Sequence, residues 1–140
     1  MKVSIITVCF NSEVSIGRTI ESVKRQTYRD IEYIVIDGES TDGTNNLVQS
    51  MSDVVDSHVS EADEGIYDAM NKGVNMATGE VITFLNADDM FSDQFVVENA
   101  VEALRETNTD LVFGDVLFFD GDRVVRNYSS KAFKAWKLRF

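Results

Sequence analysis

The chain has no proline, one cysteine and one histidine in 140 residues. With no proline, no low-complexity tract and no repeat, nothing marks a linker between domains. A single cysteine, Cys9, excludes an internal disulfide, and cytoplasmic residence is the reading that follows. No apolar run approaches the ~18 residues that suggest a membrane span. The start, Met1-Lys-Val-Ser-Ile-Ile6, enters a strand pattern directly and lacks a signal-peptide layout. Basic residues are also scarce, 13 against 24 acidic, for a net charge of −11. That balance argues against nucleic acid as a partner, because phosphate backbones recruit basic surface. The lone histidine, His58, reads as a surface or capping residue, and Cys9 as a small buried side chain.

What is present is an ordinary apolar share, 44 %, and enough length for one domain with a core. Apolar runs alternate with helical patterns. Strands are expected at Val3–Val8, Ile31–Ile36, Val54–Val59 and Val81–Leu85. Helices are expected at Ser12–Gln26, capped by Asn11 or Ser12, and at Asp42–Met51, Gly65–Ala77 and Gln94–Glu106. Leu111–Phe119 and Arg123–Tyr128 flank Asp120-Gly-Asp122, a hairpin signal. This order predicts an α/β domain with a mainly parallel sheet and right-handed crossovers. The carboxyl ends of the strands then share one edge, which collects Phe10-Asn11, Asp37-Gly38 and Asn86-Ala-Asp-Asp89. Open α/β sheets bind their ligands at that edge.

In Val81-Ile-Thr-Phe-Leu-Asn-Ala-Asp-Asp89 a strand-like run meets two adjacent carboxylates with no base beside them. Such a pair suits a hard divalent cation, Mg²⁺ or Mn²⁺, bridged to phosphates of a substrate. Asp37 opens Asp37-Gly-Glu-Ser-Thr-Asp-Gly-Thr44. Two readings stand for it. One is an ordinary strand–turn–helix junction. The other is a carboxylate that accepts a hydrogen bond from a nucleobase N–H. The spacing fits neither a P-loop nor an EF-hand. The helix at Gly65–Ala77 carries a polar stripe, Asp68, Asn71, Lys72 and Asn75. It is either a solvated face with an Asp68–Lys72 pair or one border of the same cleft.

Four segments appear in order: Val3-Ser-Ile-Ile-Thr-Val-Cys-Phe-Asn11, Ile36-Asp-Gly-Glu-Ser-Thr-Asp-Gly-Thr44, Gly65-Ile-Tyr-Asp-Ala-Met-Asn-Lys-Gly73 and Phe84-Leu-Asn-Ala-Asp-Asp89. The set resembles the nucleotide-sugar-binding part of a family 2 glycosyltransferase, over residues 3 to 119. The resemblance implies a three-layer, Rossmann-like glycosyltransferase-A fold with a mainly parallel sheet, truncated before the acceptor half. Residues 1–128 would form the nucleotide-sugar-binding domain, and 129–140 a basic aromatic tail leading toward that half. By the resemblance, Phe10, Asn11 and Asp37 hold the nucleoside, and Asp88 binds Mn²⁺ or Mg²⁺. Asp89 assists at the metal or the diphosphate as the catalytic carboxylate. Asp68, Asn71, Lys72 and Asn86 complete the donor site. Three departures stand out. Asn86 replaces the first acid of Asp-x-Asp. Gly38-Glu39 stands where Asp-Gly is common. Met70 replaces a frequent arginine, which leaves Lys72 to supply positive charge near phosphate.

The implied reaction is metal-dependent, inverting transfer from a nucleotide sugar, a UDP-sugar in the first instance, to a glycan or lipid-linked acceptor. Bacterial cell-surface polysaccharide synthesis at the inner face of the membrane is the expected setting. The family's general base lies beyond residue 140. Asp115 is read as acceptor-side or structural. The tail holds Lys131, Lys134, Lys137 and Arg139 with Phe133, Trp136 and Phe140. It either packs against protein or meets an anionic membrane surface. A homo-oligomer is a further expectation. Two rival classes remain: a non-catalytic nucleotide-binding module, and a phosphohydrolase with Asp37 as nucleophile. The latter would want an acid two residues on that is Asp, where Glu39 stands.

Overall fold

Four parallel strands form the sheet that positions everything else, in the order β3-β2-β1-β4. The structure is a computed structural model that describes residues 1–120 and 123–129. The elements are β1 (Val3–Cys9), α1 (Ile16–Lys24), β2 (Ile31–Asp37), α2 (Thr44–Ser50), β3 (Ser57–Ser60), α3 (Ile66–Met76), β4 (Val81–Phe84), α4 (Val96–Thr107), β5 (Val116–Asp120) and β6 (Arg123–Tyr128). The chain divides into two compact units, Met1–Glu98 and the part from Asn99 onward.

In the first unit every residue of β1 is buried, as expected of a parallel strand covered on both faces. The chain steps from β1 to β2 to β3 in one direction, then returns past both to β4. Right-handed crossovers therefore put α1 and α2 on one face and α3 on the other. The α3 face holds Ile6, Val8, Ile34, Ile36 and Ala69 as a buried cluster. The helix lies close to the sheet because Gly73 has no side chain. A Cβ there would fall 2.5 Å from Ile6 Cγ2. On the other face α1 turns Ile16, Ile20 and Val23 inward, the apolar stripe that its sequence period predicts. A second contribution comes from Glu32, at the opposite end of the sheet from the ligand-binding edge. It accepts bonds from Lys2 Nζ (2.9 Å), Ser4 Oγ (2.5 Å), Thr78 N (2.7 Å) and Thr78 Oγ1 (2.6 Å). It thereby ties β2 to β1 and to the turn before β4.

The elements differ from expectation mainly at their starts. The first helix begins at Ile16, not at Ser12, and its flanking residue is Ser15. The reason is long-range. Ser12 N donates to Thr44 Oγ1 (2.7 Å) and Glu13 N to Asp42 Oδ2 (3.1 Å), so these two amides tie the segment before α1 to the start of α2. The third strand is shorter and later than Val54–Val59, because Asp56 Oδ2 caps Tyr33 N at 2.8 Å and the chain joins β2 only from Ser57.

The second unit contains the hairpin β5–β6, antiparallel with an irregularity between Phe118 and Phe119. Phe118 and Tyr128 meet edge to face at 5.7 Å, and Arg126 lies over the Tyr128 ring at 4.2 Å. Asp115 directly precedes β5. Of the expected tail at 129–140, residues 130–140, with Phe133, Trp136 and Phe140, lie outside the described residues. No helix among the described residues is long and apolar enough to cross a membrane.

Candidate donor-binding site

The reversal of strand order beside β1 opens a crevice, because the chains leaving β1 and β4 diverge there. Two cavities lie along it and share Val8, Cys9, Phe10 and Ile66. One, of about 450 Å³, is lined also by Gly38, Asp63, Gly65 and Ala69. The other, of about 400 Å³, is lined also by Ser12, Asn86, Ala87 and Asp88. Phe10 is 62 % exposed although large and apolar, and it belongs to both. The sequence expectation that Phe10, Asn86 and Asp88 converge at the strand edge agrees with this geometry.

Asp37 is different. The register places Cys9, Asp37 and Ser60 side by side at the ends of β1, β2 and β3. Asp37 is fully buried. Its carboxylate accepts from Ser40 N (3.1 Å), Ser60 Oγ (2.6 Å), Ser40 Oγ and, at 3.6 Å, Cys9 Sγ. A carboxylate has about four acceptor positions, and these are engaged by protein. Asp37 is thus an organiser of the loop in this arrangement, not an open acceptor for a base. The same burial corrects the phosphohydrolase alternative, which needs Asp37 accessible as a nucleophile. Burial, with Asp37 alongside, pushes the Cys9 thiol up to about 12, so it stays a neutral thiol. Burial lowers the His58 pKa despite the opposing pull of Asp37, which keeps that ring neutral.

The loop after β2 is cross-tied to the loop after β1. Asn11 N donates to Ser40 Oγ at 2.7 Å, and Asn11 Oδ1 accepts from Thr41 N at 2.9 Å. Glu13 Oε2 accepts from Gly43 N at 2.7 Å. Asn11 and Glu39 both adopt positive φ, 48° and 63°, a conformation uncommon outside glycine that clusters where loops serve a function. Asn11 thereby shapes the cavity wall from the side; it is not among the lining residues.

Gly38 leaves a gap that Asp63 fills. A Cβ on Gly38 would lie 2.6 Å from Asp63 Oδ2 and 3.5 Å from Phe10 Cδ2. Asp63 Oδ1 accepts from Gly65 N at 2.8 Å, which anchors the carboxylate at the cavity. Sequence reasoning missed this role. The departure at Gly38 was the available signal, since a lost acid on one loop invites an acid from another.

The polar stripe of α3 is not among the lining residues of either cavity. Lys72 Nζ bonds Glu61 (3.0 Å), Asp68 (3.4 Å) and the Ala62 carbonyl (2.8 Å). Its pKa is raised, first by the bond to Glu61. Asp68 also accepts from Glu64 N at 3.2 Å. Both therefore hold the 61–68 turn. Asn71 is exposed. Lys72 as a phosphate-facing charge is corrected accordingly: its ammonium is occupied by two carboxylates and a carbonyl.

The acid pair after β4 fits a divalent cation in its donor chemistry. Asn86 Oδ1 is buried without a hydrogen-bond partner, while its Nδ2 reaches Asp89 Oδ2 at 3.4 Å. A buried acceptor left unpaired is costly. Asp89 titrates above the usual carboxylate range, through burial first and the neighbouring Asp88 charge second. Asn86, Asp88 and Asp89 supply hard oxygen donors of the kind Mg²⁺ and Mn²⁺ take. No group of three or more His, Cys, Asp or Glu arranged to hold a metal is present among the described residues.

A parallel sheet with a crevice at its switch point and an acid pair on its rim defines an open α/β domain with a ligand-binding edge. The chain belongs to glycosyl transferase family 2, whose profile matches residues 4–140. An uncharacterized glycosyltransferase of Mycobacterium tuberculosis is 45 % identical over 103 residues, 73 % of this chain and 39 % of the relative. TarS 1-349 of S. aureus in complex with UDP-GlcNAc is similar in structure, with a TM-score of 0.72 and 25 % identity, covering 79 % of this chain and 33 % of the TarS 1-349 chain. The mannosyltransferase PcManGT of Pyrobaculum calidifontis, in complex with GDP-Man and Mn²⁺, has a TM-score of 0.68 and 27 % identity, covering 81 % and 34 %. The expected glycosyltransferase-A fold is borne out by these neighbours. The chain spans less than half the length of the curated relatives it matches.

Proposed function

We propose that this chain binds the nucleotide sugar in a metal-dependent, inverting glycosyltransferase. The observation that carries the reading is the paired cavity, with Phe10 lining both parts, Asp63 in one and Asn86 with Asp88 in the other. The first cavity is of a size that takes a nucleoside. Phe10 offers a face for the base to stack on. Asp63 offers an acceptor for a base N–H. The second cavity takes the diphosphate, with the cation held by Asp88, Asn86 and Asp89. The cation would neutralise charge on the departing nucleoside diphosphate. The binding of GDP-Man with Mn²⁺ by PcManGT and of UDP-GlcNAc by TarS supports a sugar diphosphate ligand. A UDP-sugar is the donor we propose.

The part of this chain in transfer is positional. It holds the anomeric carbon at the open rim, where an acceptor hydroxyl of a glycan or lipid-linked glycan attacks from the face opposite the diphosphate. Inversion follows from that direction of attack. Cell-surface glycan synthesis on the cytoplasmic side of the membrane is the setting we propose. The test is calorimetry of UDP with and without Mn²⁺. Binding tightened by Mn²⁺ in the parent and not in Asp88→Ala supports the reading. Equal Mn²⁺ dependence in Asp88→Ala would remove Asp88 from the metal site.

A further inference from the structure

We propose that Thr19, Ser22 and Gln26 form a polar brace that holds the Ala87–Asp93 loop, and with it Asp88, in the ligand-binding arrangement. Thr19 and Ser22 lie on α1 and Gln26 just past its end, spaced three and four residues apart, so they share one side. All three are at most 2 % exposed. Burying hydroxyls and an amide costs free energy unless they are bonded, and here four of their seven bonds go to one segment, Ala87–Asp93. Thr19 Oγ1 lies 2.9 Å from the Ala87 carbonyl and 2.8 Å from the Asp89 carbonyl. Ser22 Oγ accepts from Phe91 N at 3.2 Å. Gln26 Nε2 donates to the Asp93 carbonyl at 2.7 Å, and Gln26 Oε1 accepts from Val97 N at 3.1 Å.

Within the loop the bonded groups belong to residues 87, 89, 91 and 93, every second position. Main-chain groups of an irregular segment need partners when buried, and the helix supplies them in register. Thr19 is the informative member. A threonine inside a helix commonly bonds a carbonyl one turn back. Thr19 instead bonds the carbonyls on either side of Asp88. Its one proton serves two acceptors, which fixes the separation of Ala87 and Asp89 and so the turn between them. Ser22 bonds back to the Thr19 carbonyl at 2.7 Å, and Gln26 to the Ser22 carbonyl at 3.1 Å, which locks each side chain in place. These are positioning residues: none of them lines either cavity.

The inference rests on the assignment of Asp88 to the metal. Its test uses Thr19→Val, which keeps shape and loses the hydroxyl, and Thr19→Ser, which restores it. UDP affinity is measured by calorimetry with and without Mn²⁺, and hydrogen exchange is followed across residues 86–93. Loss of one hydrogen bond predicts that the Mn²⁺-dependent gain falls about fivefold in Thr19→Val. Metal-free UDP affinity should stay within about twofold, exchange across 86–93 should rise, and Thr19→Ser should behave as the parent. Ser22→Ala, which loses the acceptor for Phe91 N, should shift both readouts the same way and serves if Thr19→Val does not fold. An unchanged Mn²⁺ gain and unchanged exchange in Thr19→Val overturns the brace while Asp88→Ala still reports on the metal site. Equal loss of metal-free and Mn²⁺-dependent binding also overturns it, since that is general damage. A parent without any Mn²⁺ gain overturns both.

Discussion

The Asp63 carboxylate stands in the space that a side chain on Gly38 would need, with Oδ2 2.6 Å from that Cβ position. The clash is with the end of a side chain and not with backbone. Gly38→Ala should therefore cost little stability, within about 0.5 kcal/mol, while pushing Asp63 out of the cavity it lines with Phe10. UDP affinity should fall about tenfold, and calorimetry beside a urea titration separates the two effects. Unaltered affinity would mean that Asp63 takes no part in holding the base.

A second expectation separates bracing from direct contact at Asp37. Asp37→Ala strands the hydroxyls of Ser40 and Ser60 and the amide of Ser40. Ser60 is exposed and Ser40 partly buried, so the cost is that of the lost bonds to a charged group, about 1.5–3 kcal/mol. Stability and UDP affinity should fall together. A loss of affinity at parental stability, by calorimetry and urea unfolding, would instead mean that Asp37 touches the base.

Glu32 makes acid stability predictable in sign. Burial opposes ionisation of Glu32, but bonds from Ser4, from Thr78 twice and from Lys2 outweigh it and hold its pKa at about 2, against 4.5 for a free side chain. A carboxylate with a depressed folded-state pKa stabilises fully above the unfolded value, and the contribution is lost as pH falls toward the folded value. The stability gap between the parent and Glu32→Gln should be constant above about pH 4.5 and should shrink toward pH 2. Urea midpoints at pH 7, 4 and 2.5 check this. A gap independent of pH would show that the charge on Glu32 contributes nothing.

Gly73→Ala sets two effects against each other. Alanine gains about 1 kcal/mol of helix propensity over glycine. Against that, its Cβ would meet Ile6 Cγ2 at 2.5 Å in the buried layer between α3 and β1. Overpacking costs about 1–3 kcal/mol, so the net change should be destabilising. A rise in the urea midpoint would mean that α3 moves off the sheet at no cost.

The strands and the crevice were legible because they depend on short-range pattern. Val3–Cys9 and Ile31–Asp37 are mainly apolar, broken only by Ser4, Thr7 and Glu32 before Asp37, and each leads into polar residues that the parallel order brings to one edge. Phe10, Asn86 and Asp88 followed from that edge. What was illegible depends on partners far along the chain. Nothing near Ser12 signals that its amide goes to Thr44, so the start of α1 was misplaced. Asp37 and Ser60 are 23 residues apart, so the burial of that carboxylate had no local sign. Lys72 was placed near phosphate by the resemblance alone; its pair with Asp68 was legible at i,i+4, whereas its bond to Glu61, outside the helix, was not. Thr19 and Ser22 sit beside Ile20 and Val23 on the inward side of α1, a polar intrusion into an apolar stripe that could have marked the brace.

The central claim is that nucleotide and cation share the crevice between β1 and β4. Mn²⁺ is paramagnetic, and its broadening of nearby amide signals reports where it binds. With UDP present, sub-stoichiometric Mn²⁺ should broaden the amides of Asn86 to Asp89 and of Phe10 first, and should do so only weakly in Asp88→Ala. Broadening centred elsewhere, for example on Asp42 or Asp53, or equal in Asp88→Ala, would contradict the account.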